Sequence, residues 1–495
     1  MRGSLCFYII MKKLYIIAIT ILLTAAASAQ TVDDACLFSQ TYYQGTAKAL
    51  GMGNAMGAVG SDMTAVCINP ASMGIYRSSE VTASVNLLDN YNRSTYYGTQ
   101  NSGNKVRFSL PNVGYVHAKE KSNFRALRFA QFGVGFTRTN DFNLHTNAMG
   151  INPNSSKIDD YLAQIDGYAV SDLQESFPYT IYPAWSTYLI DIYQDASGQS
   201  YYDSPVPPGN IWQGQECDYI GRSEAWTFAG SFNLYNRFFI GISADLVHVK
   251  RVGNKTLKES SIESATTGFN RWSFDEDLRS TGWGGNLKIG FIFHATPWLR
   301  IGGAFHSPTI FNFSETWQTT TESEIDLVMH KYISPESHYE YNFFTPLKCV
   351  GSLAFVIGQQ GMVSIDAEYT NYGAARFKAI PSDDFDYGPT NENIKNTLGR
   401  TLNLRLGSEW RVGNTYLRLG AAYYGSPFGL GQPGGSVKKA SCGVSVPLTE
   451  GTSLDFAYEL SHGKTFVTLY NVADIESITH SQFRNILLIT FKARF

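Results

Sequence analysis

Alternating apolar and polar residues recur in segments along most of the chain from residue 79 to its C-terminus. In residues 401–412, leucines at alternate positions share one face, whereas Asn403, Arg405 and Glu409 share the other. Because successive side chains of a strand point to opposite faces, this pattern predicts strands with one apolar and one polar face. The fourteen predicted strands are 79–90, 104–118, 126–143, 224–235, 237–251, 280–294, 297–318, 339–357, 361–376, 395–412, 414–425, 436–447, 452–463 and 481–494.

The connections between these strands alternate in length. Those after even-numbered strands are short, such as 235–237 and 413–414, whereas those after odd-numbered strands are long and polar, such as 252–279 and 144–223. A soluble β-sandwich has no reason to keep this parity, but a transmembrane barrel has short turns on one side and long loops on the other. The pattern predicts an all-β fold: a transmembrane antiparallel β-barrel of about fourteen strands over residues 79–495, with 144–223 as its largest extracellular loop.

Residues 30–78 have a different character, because they are rich in Gly, Ala and Met and show neither a helical stripe nor strand alternation. A flexible segment made largely of small residues cannot form a good core for an independent domain. Fourteen strands, however, enclose a lumen that is too wide for wall side chains to fill. The sequence therefore predicts that residues 30–78 form an N-terminal plug inside the lumen of the barrel.

The two ends of the chain carry targeting features. Lys12 and Lys13 precede a short apolar run, and Ala27-Ser28-Ala29 follows it, which predicts a signal peptide over residues 1–29 with cleavage before Gln30. The start site, Met1 or Met11, is left open. The last strand ends in alternating apolar residues and Phe495, the form that the outer-membrane assembly machinery reads. We expect localisation to the bacterial outer membrane, in contact with its lipid.

Composition excludes several function classes. Aromatic residues make up 14% of the chain and charged residues 16%, and its formal charge of −3 offers no basic surface for nucleic acid. The sequence shows no dinucleotide fingerprint, phosphate-binding loop or hydrolase motif, so we expect no enzyme. The nine histidines are scattered, which argues against a haem or metal site, and we expect no cofactor. The scattered cysteines form no disulfide framework, although a single bridge such as Cys36–Cys67 is left open.

Several motifs resemble the FadL/TodX family of outer-membrane transporters for hydrophobic compounds, especially its Bacteroidetes-type members. The resemblance begins in GTAKALGMGNAMGAVGSD, which precedes Asn69-Pro70-Ala71, and continues in 132–140 (FGVGFTRTN), 299–308 (LRIGGAFHSP) and 366–372 (DAEYTNY). It implies a monomeric fourteen-stranded barrel whose lumen is blocked by an N-terminal hatch.

The resemblance also implies a lateral opening at a kink in the third strand, here predicted at 126–143. Gly133 and Gly135 lie on one face of this strand, where glycine permits a kink. The other interpretation of these glycines is that they only make room for the plug.

The resemblance to the hatch makes Asn69-Pro70-Ala71 the predicted gate. Pro70 fixes its own φ and pushes Asn69 away from helical geometry, and the Asn69 side chain can bond to nearby backbone. We expect a rigid turn inside the lumen that controls passage. Flanking glycines should let the plug approach the wall closely: Gly51, Gly53, Gly57, Gly60 and Gly74. We expect its wall partners among charged lumen residues: Arg405, Glu409, Arg418 and Asp366.

The function that these observations favour is passive uptake of hydrophobic small molecules, such as long-chain fatty acid-like or aromatic compounds. The alternative is an outer-membrane surface adaptor or protein-secretion shuttle, resembling PorV, that uses the 144–223 loop. The resemblance does not identify the ligand.

Overall fold

The computed structural model describes residues 30–121, 126–262, 268–472 and 475–495. The predicted signal peptide, residues 1–29, lies outside the described residues. Seven α-helices are described within these ranges: α1 (Val32–Ser39), α2 (Ala47–Gly51), α3 (Met63–Ile68), α4 (Lys157–Ile165), α5 (Val170–Ser176), α6 (Ile181–Ser186) and α7 (Gly388–Thr397). Two 3-10 helices are Pro70–Ile75 and Tyr372–Ala374. Among the described residues, none of the helices is long and apolar enough to cross a lipid bilayer.

The described strands are β1 (Glu80–Tyr96), β2 (Thr99–Glu120), β3 (Leu127–Asp141), β4 (Leu144–Asn152), β5 (Asp191–Gln194), β6 (Ser200–Asp203), β7 (Ile211–Leu234), β8 (Phe238–Ser261), β9 (Phe269–His294), β10 (Leu299–His306), β11 (Ile310–Ile325), β12 (Val328–Ile333), β13 (Ser337–Phe344), β14 (Lys348–Ile357), β15 (Gly361–Asn371), β16 (Arg376–Ala379), β17 (Arg400–Val412), β18 (Thr415–Tyr424), β19 (Val437–Pro447), β20 (Thr452–Val467) and β21 (Ile478–Arg494).

These strands close into an antiparallel barrel of fourteen wall strands, which confirms the predicted fold class. Four wall strands are interrupted and contain two elements each: β3 with β4, β10 with β11, β13 with β14, and β15 with β16. The barrel closes where β1 pairs with β21, from Glu80–Arg494 to Thr95–Thr479. The backbones of Ser79 and Phe495 exchange two further hydrogen bonds at this junction.

Several segments that the sequence predicted as loops are strands. β8 continues to Ser261 and β9 begins at Phe269, so most of 252–279 is a tall hairpin. The segment 144–223 contains β4, three helices, the β5–β6 hairpin and the first half of β7. These parts lie beyond the bilayer, where outward residues no longer need to be apolar, so the sequence loses the alternation on which the prediction depended.

The burial of side chains is the reverse of that in a soluble protein. Outward residues of the lower strands are apolar and exposed; Phe108, Ile242 and Leu287 are examples. Inward charged residues such as Asp245 and Arg405 are buried. An apolar outer band around a polar interior is the arrangement of a barrel in a membrane.

The long segment between β4 and β7 folds into a small dome at the loop end of the barrel. Helices α4, α5 and α6 bury Ile158, Leu173 and Ile181 against inward residues of the extended strands, including Leu257 and Trp272. The dome therefore has an apolar core of its own, built against the wall.

Candidate functional site: a plugged lumen and an incomplete wall

The plug runs the length of the lumen from the loop end to the turn end. Its first helix, α1, lies at the loop end, where Asp34 forms an ion pair with Arg251 at 2.8 Å. Its last segment enters β1, where the Tyr76 hydroxyl donates to Glu80. Its residues between these points are largely buried. The lumen is therefore filled by residues from the N-terminal part of the chain.

Asn69 holds the predicted turn in shape. Its backbone is extended, with φ −142° and ψ 108°, as expected for a residue before proline. Its side-chain oxygen accepts from the backbone N–H of Ala71 at 3.1 Å, and its amide donates to the carbonyls of Gly57 at 2.7 Å and Phe291 at 3.1 Å. Asn69 thus ties the turn both to the plug and to the wall.

Pro70 and Ala71 lie directly against a wall glycine. A Cβ added at Gly241 of β8 would lie 2.3 Å from the carbonyl carbon of Pro70 and 2.4 Å from the nitrogen of Ala71. Backbone atoms cannot move aside as a flexible side chain can, so only glycine allows this approach. The turn is therefore seated in a gap in the wall made by a missing side chain.

The plug glycines also contact the wall through their backbone. A Cβ at Gly51 would lie 3.2 Å from the Cα of Gly443, and Gly53, with φ +60°, lies against the backbone of Ala421. The Gly57 N–H donates to Asp366 at 2.9 Å. Gly74 is also close to the wall, since a Cβ there would lie 2.7 Å from the Ser231 hydroxyl, whereas Gly60 packs against Ile75 within the plug.

Of the four charged wall residues predicted from the sequence, only Asp366 is described bonding to the plug, where its carboxylate accepts from the Gly57 N–H. The other three are ion-paired with wall residues: Arg405 lies 3.0 Å from Glu368, and Arg418 lies 2.6 Å from Glu409. These pairs span neighbouring strands and stabilise the inner face of the wall.

Other basic wall residues bond to the plug, and sequence reasoning missed them. Lys288 donates to the carbonyl of Cys67 at 2.8 Å, Arg300 donates to that of Val59 at 3.0 Å, His306 lies 2.8 Å from that of Ile68, and Lys492 lies 3.4 Å from the Asp62 carboxylate. Three of these partners are backbone carbonyls. Every residue has a backbone carbonyl, so the sequence does not indicate which carbonyls the wall will bind. The one feature visible in the sequence was a basic residue at an inward-facing position of a strand.

Gly133 and Gly135 of β3 receive plug side chains. A Cβ at Gly133 would lie 2.6 Å from the Met73 methyl carbon, and one at Gly135 would lie 2.3 Å from that of Met63. β3 keeps its register with β2 through both glycines, and its register shifts with β7 fall at 127–129 and 138–140. The glycines make room for the plug, while a lateral opening at this point stays a prediction.

The wall is incomplete where the β1–β2 hairpin meets β3 and β4, a junction that we call the seam. Backbone pairing between β2 and β3 runs from Glu120–Phe129 only as far as Asn112–Thr137. Pro111 follows at this point, and it has no N–H to donate to a ladder. Beyond it, the free edge of β3 bonds to the plug instead: Tyr42 N–H donates to the Thr139 carbonyl at 2.7 Å, and Gln44 N–H donates to that of Arg138 at 3.0 Å.

Farther towards the loop end, asparagine side chains close the seam. Asn90 donates to the carbonyl of Asn143 at 2.5 Å, Asn92 to that of His145 at 2.9 Å, and Asn101 to that of Met149 at 3.3 Å. The opposite edge of β4 is paired with β7 through its backbone. The seam thus replaces a backbone ladder with a few side-chain bonds.

An aromatic chamber lies at the loop end of the lumen, between α1 and the wall. Phe38 of α1 occupies its centre, stacked on Phe313 with ring centroids 4.7 Å apart. The chamber is formed by Phe38, Phe142, Phe311, Phe313, Tyr341, Phe343, Phe377 and Tyr387. The space left beside α1, between Phe38 and Lys348, holds about 60 Å³. That is enough for a few water molecules but not for a hydrophobic ligand, so the plug itself fills the chamber.

A polar cluster borders this chamber. Gln30 donates to Glu315 at 3.1 Å. Glu315 pairs in register with Ser280 of β9. Ser280 lies on the loop side of Trp283, the last outward apolar residue of β9, so Glu315 lies above the apolar band. Burial, reinforced by the nearby Asp34 carboxylate, raises the pKa of Glu315 to about 7. The docking of α1 is therefore coupled to a carboxyl group that titrates near neutral pH.

The described cysteines Cys36, Cys67, Cys217, Cys349 and Cys442 are free thiols, so the bridge left open between Cys36 and Cys67 is not formed. In the described ranges, no group of three or more His, Cys, Asp or Glu residues is arranged to hold a metal ion.

Comparison with known proteins identifies the fold. No protein-family profile and no curated protein matches the sequence. Among solved structures, a Pseudomonas aeruginosa FadL homologue is similar, with a TM-score of 0.57 and 12% identity over 92% of this chain and 99% of that chain. The Pseudomonas putida toluene transporter TodX is also similar, with a TM-score of 0.52 and 12% identity over 92% of this chain and 98% of that chain.

The Ralstonia pickettii toluene transporter TbuX has a TM-score of 0.51 and 15% identity, over 91% of this chain and 98% of that chain. These similarities cover nearly the whole of each chain, although the sequences have diverged widely. The chain therefore has the fold of the FadL and TodX outer-membrane barrels.

Proposed function

We propose that this protein is an outer-membrane channel for the passive uptake of hydrophobic small molecules, fatty acid-like or aromatic, and that the N-terminal plug gates it. The observation that carries the proposal is the aromatic chamber occupied by Phe38. A hydrophobic ligand and the side chain of Phe38 would bury their surface against the same rings, including Phe313 and Phe343. Ligand binding and docking of α1 would then compete.

The route out of the chamber is the seam. The lower lumen is crossed by buried ion pairs such as Lys288–Asp245 at 2.6 Å and Arg405–Glu368 at 3.0 Å, which a hydrophobic compound would have to desolvate. The seam instead leads sideways to lipid, past outward Phe108. Because Tyr42 and Gln44 occupy the free edge of β3, movement of the plug would expose this route.

The turn at Asn69-Pro70-Ala71 acts as the pivot in this proposal. Its bonds to Gly57 and Phe291 hold the turn against the wall while α1 moves at the other end of the plug. The backbone contacts of Gly51, Gly53 and Gly57 with the wall provide a surface along which the plug shifts.

The test is uptake of a hydrophobic tracer by cells that lack their own transporter. Asn69→Ala combined with Pro70→Ala removes the pivot, and we expect a several-fold change in the initial uptake of labelled oleate or toluene. Heat-modifiable gel migration should still show a folded barrel, because the wall ladders do not involve the turn. The matched control is Asn393→Ala with Pro389→Ala, which alters two exposed residues of α7 and should leave uptake unchanged.

Wild-type uptake by the Asn69/Pro70 variant, at equal membrane levels, would refute the gating role. A native preparation that carries a stoichiometric secreted partner and no lipid-like ligand would replace the transport proposal with the adaptor alternative.

A further inference from the structure

A second cavity lies outside the barrel, on the outward face of the strands that extend beyond the membrane. It encloses about 400 Å³, far more than the space beside α1. The opposite face of the same strands carries the dome, so this cavity is separate from the lumen and the plug. We call it the outward groove; Met149, Trp212, Gly214, Lys258, Arg271 and Glu322 are among its lining residues.

The floor of the outward groove is apolar and flat. Gly214 of β7 pairs in register with Met149 on one side and Lys258 on the other, and it contributes no side chain between them. Trp212 lies two residues away on the same face, with 39% of its surface exposed. An exposed tryptophan beside a gap provides a platform on which a ring-shaped ligand can lie.

The rim of the groove is charged but balanced. Lys258 lies 3.4 Å from Glu216, Arg271 lies 2.7 Å from Glu324, and Lys331 lies 2.7 Å from Glu322. Because each cation has an acidic neighbour, the rim does not select an anion, and a purely hydrophobic ligand would desolvate these groups at a cost. A ligand rich in hydroxyl groups suits this rim, since a hydroxyl can both donate to a carboxylate and accept from an ammonium or guanidinium.

The height of the groove indicates what lies beside it. Along β7, the outward residues Glu224 and Arg222 beyond Trp226 are charged, and Ile220 is the last exposed outward aliphatic residue before the groove. Gly214 lies six residues beyond Ile220, which places the groove roughly 15 Å above that residue for a tilted strand. An outward site at this height faces the saccharide layer that the glycolipids of the outer leaflet carry.

We propose that the outward groove binds the oligosaccharide of an outer-leaflet glycolipid, with Trp212 as the platform under a sugar ring. The charged rim contacts its hydroxyl groups, and the open floor at Gly214 admits the chain. This site holds the barrel to its surrounding glycolipid and is independent of the proposed uptake function.

The test uses the full-length protein in detergent micelles. The probe is lipid-free oligosaccharide released by mild acid from the glycolipid of the source bacterium, and binding is followed by saturation-transfer NMR and titration. We expect saturable binding that Trp212→Ala weakens at least about tenfold. Trp226→Ala is the matched control, because it removes an exposed tryptophan from the same strand within the lipid band, and it should bind like the wild type.

Gly214→Leu provides a second variant, since its side chain would fill the floor next to Met149. We expect it to abolish binding while heat-modifiable migration and tracer uptake stay at wild-type values. The proposal is overturned if the wild type does not bind the probe, or if Trp212→Ala and Trp226→Ala bind equally. Tighter binding of free capsular oligosaccharide than of the glycolipid oligosaccharide would overturn the assigned source.

Discussion

The two edges of the β1–β2 hairpin are joined to the rest of the barrel in different ways. The β1 edge pairs with β21 along nearly its whole length, from Glu80–Arg494 to Thr95–Thr479. The β2 edge pairs with β3 only from Glu120–Phe129 to Asn112–Thr137. Beyond that point, plug backbone and asparagine side chains replace the ladder.

In the proposed uptake mechanism, this difference distinguishes the edge that stays closed from the edge that opens. In a membrane, a backbone N–H or C=O without a hydrogen-bond partner costs free energy. Two strands joined by a complete ladder therefore stay paired along their whole length. A side-chain hydrogen bond contributes about 1 kcal/mol net and can be exchanged for water or for another partner. The seam is therefore where we propose that the wall separates without unfolding.

Removal of Phe495 tests the permanent edge and should have the largest effect. Phe495 exchanges two backbone hydrogen bonds with Ser79 at the closure, and we also propose that it is the assembly signal. We expect the level of folded, heat-modifiable barrel in the outer membrane to fall about tenfold. Phe466→Ala, which alters an exposed aromatic residue of the adjacent strand β20, is the control and should assemble normally. Normal assembly without Phe495 would contradict both roles.

Asn90→Leu combined with Asn92→Leu tests the seam and should change transport rather than assembly. The two substitutions remove the side-chain bonds to the carbonyls of Asn143, just before β4, and of His145 in β4, at about 1 kcal/mol each. Asn90→Leu also removes the bond that Asn90 accepts from Gln482. We expect normal membrane levels and a several-fold rise in tracer uptake, measured as initial rates. Asn485→Leu is matched, because it removes a side-chain bond to Asp89 on the edge that has a complete ladder. Equal uptake by the two variants would show that the seam does not open.

Gly133→Ala with Gly135→Ala distinguishes the two interpretations of these glycines. The added Cβ atoms would meet the side chains of Met73 and Met63, and the one at Gly133 would also lie 2.9 Å from the Tyr115 carbonyl of β2. If the glycines only make room for the plug, uptake should change less than about twofold, because the methionines can move aside and a shift of a few tenths of an ångström at Tyr115 keeps the β2–β3 pairing. A large loss of uptake at normal membrane levels would instead place the lateral opening at these positions.

The pH dependence of α1 docking should be the smallest effect. Burial and the nearby Asp34 raise the pKa of Glu315 from its usual 4.5 to about 7. Ionisation of Glu315 therefore weakens the docking of α1 as the pH rises from about 4.5 to about 7. Below that window, Glu315 is protonated and the weakening is absent. Arg251, which is paired with Asp34, stays charged throughout. We expect uptake about twofold higher near pH 8 than near pH 5.5, and Glu315→Gln should remove this dependence. An unchanged profile in Glu315→Gln would assign it to another group.

Much of the wall could be predicted from the sequence because its physical cause is local. Lipid on one side and a polar lumen on the other impose a period of two on each strand, so Ile365 and Asp366 necessarily face opposite sides. The parity of the connections then predicted a barrel. The alternation ends above the bilayer, where outward residues are no longer required to be apolar, and there the predicted strands stopped too early.

The geometry of the turn at Asn69 was also accessible, since the conformation before a proline and the bonding of an asparagine side chain are local properties. Its wall contacts were not. Pro70 packs into the space left by the missing side chain of Gly241, which is distant in the sequence. The sequence does not indicate which segment will fill the space beside a glycine.

Only the tertiary structure decided where the wall is incomplete and what closes it. Asn90 and Asn92 follow the ordinary alternation of β1, and nothing in their neighbours distinguishes them from other inward polar residues. Their role arises because Asn143 and the start of β4 lie beside them and present carbonyls that accept their amide hydrogens. Alternation depends on which side of a strand faces lipid, which the chain encodes residue by residue, whereas the seam depends on which distant backbone groups lack a partner once the barrel has closed.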